Sequence, residues 1–87
     1  MEELRELRKK IDEVDKELLA LMLKRFDLVD QVAEVKKANN LPVFVPGRED
    51  EILDRLTSGI DGKYSSFVRD LFTSILDVSK RYQIEKI

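Results

Sequence analysis

The chain has neither cysteine nor histidine among its 87 residues, and only three glycines and two prolines. Without cysteine there is no disulfide and no thiolate nucleophile. Without histidine, the commonest general base and the commonest metal ligand are both missing. No stretch approaches the roughly 20 consecutive apolar residues of a membrane span, and Met1-Glu2-Glu3 is the wrong opening for a secretory signal. A cytoplasmic protein with no membrane segment is the expectation. Charge of one sign is also lacking: 16 Lys and Arg face 18 Asp and Glu, a net charge of −2. That balance is no electrostatic footprint for nucleic acid, so any anion must be held by a few placed cations.

Apolar residues make up 43% of the chain and charged residues 39%. With so few breakers, this composition predicts an all-α fold in a single domain spanning residues 1–87. Leu4, Leu7, Ile11, Val14, Leu18, Leu21, Leu28, Val32 and Val35 recur in alternating steps of three and four, with position 25 filling the one gap of seven. Such spacing makes a helix with a coiled-coil-like seam. Glu2 and Glu3 suit the positive end of its macrodipole, Lys36 and Lys37 the negative end. Asn39-Asn40 and Pro42 stop it.

The first helix is thus expected over residues 3–38, roughly 54 Å long at 1.5 Å per residue. A compact globule of this size has a radius of gyration of only about 12 Å. A helix that long overhangs its own domain and leaves its seam in water. Pairing with a second copy covers it, which predicts an intertwined helical-bundle homodimer.

Residues 40–47 read as a connection, because Val43-Phe44-Val45 has no partner strand. Pro46-Gly47 before Arg48-Glu49-Asp50-Glu51 looks like the start of a second helix with an acidic first turn, over 48–58. Ile52, Leu53 and Leu56 give it an apolar face, and Gly59 and Gly62 are expected to end it. A third helix is expected over 64–84, with Val68, Leu71, Phe72 and Ile75 as its stripe.

The informative residues are those that break these stripes. Position 25 continues the seam but is Arg, and an always-charged guanidinium in a core costs several kcal/mol unless an anion meets it. It either fixes register, forms an internal salt bridge, or binds an anionic ligand. Lys36 lies 11 residues on, about 20° round the helix and roughly 16 Å along it, so it shares that face. Alone it would read as a partner of the helix dipole. Ser79 and Gln83 carry the third helix's inward stripe onward with hydrogen-bonding side chains, unless that end simply frays. Together these four describe a polar pocket suited to a small dianion. Arg8 precedes Arg25 by 17 residues, about 25 Å along and about 100° round the helix. It is either a solvated surface cation or, in an antiparallel dimer, a residue of the partner's pocket.

With these residues in view, the sequence resembles the all-helical class of chorismate mutase (type II) over almost its whole length. Leu7-Arg8-Lys9-Lys10-Ile11-Asp12 and Asp15-Lys16-Glu17-Leu18-Leu19-Ala20-Leu21 look like that family's first helix. Arg25 stands at its buried arginine, Lys36 at its lysine, Arg48-Glu49 at its Arg-Glu pair, and Ser79 and Gln83 at its third-helix pair. The resemblance implies rearrangement of chorismate to prephenate, a step toward phenylalanine and tyrosine. It implies no metal, no cofactor and no covalent intermediate. It further implies that Arg8 of one chain and Arg25 of the other hold the two carboxylates, with Ser79 assisting. Lys36 and Gln83 would donate to the ether oxygen, Glu49 would accept from the ring hydroxyl, and Arg48 would orient Glu49 and close the pocket. One position departs: some members carry Asp where this chain has Val45, and there the resemblance implies use of the backbone N–H.

Other readings stay open at this point. An isochorismate–pyruvate lyase on the same fold resembles the first-helix cations but lacks the Arg-Glu order. A mutase for an amino analogue of chorismate is a further alternative. A non-catalytic dimerisation module explains the seam but not Arg25, Lys36, Ser79 and Gln83.

Overall fold

The computed structural model describes all residues from Met1 to Ile87. It contains three helices and no strand: α1 (Glu2–Ala38), α2 (Arg48–Thr57) and α3 (Gly62–Lys86). None of them is long and apolar enough to cross a membrane. The seam and the end charges that predict α1 correspond to one helix of 37 residues. At its end Asn40 takes a positive φ of 53°, and the Leu41 N–H returns to the Lys36 carbonyl at 2.8 Å. Asparagine tolerates that left-handed conformation better than most residues, so Asn39-Asn40 turns the chain where the helix stops.

The connection then bends at Val43 and turns at Pro46-Gly47; Gly47, with a φ of 84°, precedes α2, and its carbonyl accepts from the Glu51 N–H at 3.0 Å. The start of α3 differs from expectation. Gly62 does not help to end α2 but lies in the first turn of α3. Asp61 is the cause: its carboxylate accepts from the Lys63 N–H at 3.1 Å, capping α3 two residues before Tyr64. A side-chain acceptor at the N-cap satisfies a backbone donor that the helix itself cannot.

α3 packs against both other helices and so carries the core. Toward α1, Phe26 and Tyr82 meet edge to face at 5.2 Å, and the Tyr82 hydroxyl donates to Asp30 at 2.7 Å. That hydrogen bond to Asp30, with desolvation and the nearby negative charges adding, holds the Tyr82 phenol above its ordinary value of 10.0. Toward α2, Arg69 pairs with Asp54 at 2.5 Å. Val68, Phe72 and Ile75 are half-buried, as their spacing predicts, but Leu71 faces outward.

Only five residues are buried: Ala33, Ile52, Leu76, Ser79 and Gln83. Every residue from Met1 to Leu21 is exposed, including the seam residues Leu7 (55%), Leu18 (54%) and Leu21 (62%). The chain extends 56 Å along its long axis, with a radius of gyration of 16.5 Å. Its surface of 7164 Å² exceeds the roughly 5300 Å² of a compact monomer of this mass. The excess is the first half of α1, standing clear of the rest.

Candidate active site

The second half of α1, the connection, the first turn of α2 and the second half of α3 enclose a cavity of about 200 Å³. Seven of the eight residues singled out in the sequence line it: Arg25, Lys36, Val45, Arg48, Glu49, Ser79 and Gln83. Arg8 does not, because it sits on the exposed half of α1. Its neighbours Arg5 and Lys9 pair with Glu2 and Glu6, but Arg8 has no ion-pair partner.

Two buried polar side chains of α3 meet the two cations of α1. The Arg25 guanidinium donates to the Ser79 hydroxyl oxygen, and Ser79 donates its own proton to the Ile75 carbonyl at 2.9 Å. A serine bonded back to the preceding turn has its donor occupied. It can assist an anion directly only by rotating.

Lys36 donates to the Val43 carbonyl at 2.8 Å and to Gln83 Oε1 at 3.0 Å. An ammonium only donates, so the carbonyl oxygen of Gln83 must face it. The Gln83 amino group is thereby turned to other partners. Lys36 keeps one of its three protons. A charged and a neutral donor therefore sit side by side, and no buried polar atom is left without a partner.

The first turn of α2 is arranged differently from expectation. Arg48 does not contact Glu49 but pairs with Glu51 at 2.9 Å. Adjacent residues on a helix point away from each other, while residues three apart share a face. Glu49 instead pairs with Lys80 of α3 at 3.1 Å, both side chains about one-third exposed. The hydrogen bond that Lys80 donates to Glu49 raises its pKa above the ordinary 10.5; desolvation opposes this, and the charges of Glu49 and Asp77 add to it.

Lys80 also lines the cavity and escaped the sequence reading. The signal was present, since Leu76, Ser79, Lys80 and Gln83 recur at helical spacing on one face. Val45 contributes its apolar side chain to the wall, and its carbonyl accepts from the Arg48 N–H at 3.2 Å. Its own N–H makes no hydrogen bond within the chain.

The lining carries four cations, Arg25, Lys36, Arg48 and Lys80, against one carboxylate, Glu49. Valines from α1 and the connection, with Phe44, Ile52 and Leu76, supply an apolar wall. Such a site suits a compact molecule with more than one negative charge. Having neither a thiol nor an imidazole, it is equipped to orient and to donate hydrogen bonds.

The family described as chorismate mutase type II matches residues 7–84. The chain is 48% identical over 56 residues to a bifunctional chorismate mutase/prephenate dehydratase of Aquifex aeolicus, covering 64% of this chain and 16% of that protein. It is 38% identical over 85 residues to the T-protein of Haemophilus influenzae, covering 98% of this chain and 21% of that one. It is 45% identical over 56 residues to a chorismate mutase of Methanocaldococcus jannaschii, covering 64% of this chain and 57% of that one. The matches thus span less than two thirds of the length of each of these three relatives.

Proposed function

The chain belongs to the chorismate mutase type II family, and from that premise we propose that it converts chorismate to prephenate in the cytoplasm, on the route to phenylalanine and tyrosine. The observation that carries this is the pairing of Lys36 and Gln83 at 3.0 Å on the cavity wall that also holds Arg25. In the rearrangement an ether C–O bond breaks as a C–C bond forms within one molecule, and no proton is gained or lost. The barrier falls if a flexible dianion is held folded and if donors meet the charge growing on the ether oxygen. Arg25 binds one carboxylate, where a planar fork suits the geometry. Lys36, through its remaining proton, and the Gln83 amide donate to the ether oxygen. Glu49 accepts from the ring hydroxyl, and Arg48 lies at the cavity's edge.

Arg8 enters from a second copy. The exposed seam of α1 and the cation without a partner lie on the same overhang, so an antiparallel homodimer covers the first and delivers the second to the partner's cavity. The test is consumption of chorismate by the purified protein. The expected rate exceeds the uncatalysed one by on the order of 10⁶; a rate equal to the uncatalysed one would refute the proposal.

The departure at Val45 yields a smaller effect. If the free N–H of that residue is the part used, Val45→Asp changes kcat/KM by less than about tenfold. Glu49→Ala, which removes an acceptor from the cavity, costs much more. Equal losses in steady-state assays of the two variants would mean that the hydroxyl contact is misplaced.

A further inference from the structure

We infer that Lys80 is a positioning residue for Glu49: its ammonium clamps the Glu49 carboxylate against the cavity wall and ties the first turn of α2 to α3. This rests on the reading of Glu49 as acceptor for the substrate hydroxyl.

Glu49 stands in the first turn of a ten-residue helix. No residue of that turn holds its side chain, since Arg48 is taken by Glu51. Left alone, a glutamate there would sample several rotamers and swing into water. Lys80 stops this from the opposite side at 3.1 Å. Two features set its place. It rises from the face of α3 that carries Ser79 and Gln83, the residues that meet Arg25 and Lys36. Its ammonium also lies 5.7 Å from the centre of the Phe44 ring, where the ring face attracts a cation.

Asp77, one turn back, sits at 3.7 Å on the solvent side and is far more exposed than Glu49, so it leaves the inner contact to Glu49. One rigid helix face therefore sets the places of Arg25, Lys36 and Glu49 together. A lateral error of about an ångström in a substrate-positioning group costs up to a hundredfold in rate.

The test measures Lys80→Met and Lys80→Arg, each alone and combined with Glu49→Gln, by kcat and KM for chorismate. Thermal unfolding monitors the fold, and Asp77→Asn serves as the outer control. Lys80→Met is expected to lose about tenfold in kcat/KM, while Lys80→Arg keeps most of the activity and Asp77→Asn all of it. In the Glu49→Gln background, Lys80→Met should then have almost no further effect. In the free protein the side-chain nitrogen resonance of Lys80, read by NMR, should move toward that of a solvated lysine when Glu49 becomes Gln. Full activity of Lys80→Met, or the same loss in both backgrounds, would overturn the role and leave the mutase reading intact. A wild-type protein that consumes no chorismate would overturn that reading, and this role with it.

Discussion

Gln83→Glu is expected to run about a hundredfold slower than wild type at pH 8 and to recover as the pH falls. The ether oxygen gains negative character as its bond breaks, so it needs a donor present at every pH. In the wild-type protein Gln83 meets Lys36 through its carbonyl oxygen, at 3.0 Å, which frees the amide hydrogens for the substrate. A glutamate of the same size would still satisfy Lys36 but would donate to the substrate only when protonated, and the reference Glu pKa is about 4.3. Lys36 at that distance favours the ionised form, burial opposes it, and acid protonates it in either case. An ionised carboxylate would also repel the developing charge, which pushes the same way.

Wild type should show a nearly level rate between about pH 5 and about pH 8, since glutamine does not titrate and lysine and arginine have reference values above about 10. The check is kcat/KM for both proteins across that range. A mutant as active as wild type at pH 8, or one that shows no rise toward acid, would remove Gln83 from the ether oxygen.

Arg8→Ala and Arg25→Ala should each lose two to three orders of magnitude in kcat/KM, about what removing a charged partner from a carboxylate costs. Arg25 lines the cavity of its own chain, while Arg8 lies about 25 Å away along the same helix. A straight helix cannot bring them together, so on the proposed dimer one active site would draw them from two chains. The consequence is complementation. A mixed dimer of the two variants has one site with both arginines and one with neither. Random reassortment makes half the dimers mixed, so unfolding and refolding an equal mixture should restore about one quarter of wild-type activity. Native mass spectrometry would establish that mixed dimers had formed. If they form and activity stays at the level of either parent, Arg8 acts in its own chain or not at all.

The long helix and the cavity were both legible in the sequence because each rests on strong periodicity. The three-four rhythm runs from Leu4 to Val35 with Arg25 as its one charged break, and the structure places that break on the cavity wall. Ser79 and Gln83 were found the same way, as polar residues where an apolar stripe should continue, and both are buried.

What was missed depends on contacts that spacing does not encode. Gly62 looks like a stop, and only the capping bond from Asp61 to the Lys63 N–H makes it part of α3. Arg48 and Glu49 are adjacent in sequence and diverge in space, so each found another carboxylate or cation. Lys80 escaped because a lysine with a long apolar stem serves equally on a solvated face or along a wall. Its partner comes from another helix, 31 positions away. The exposure of the α1 seam was foreseen from length alone, since a helix of 37 residues cannot fit inside a globule of this size.

The most direct test of the central claim is the identity of the product. Purified protein would be given chorismate in buffer containing a metal chelator, and the mixture followed by proton NMR. The account predicts that chorismate signals are replaced one for one by those of prephenate, with no pyruvate released. Release of pyruvate in place of prephenate, or chorismate that persists as long as in buffer alone, would contradict it.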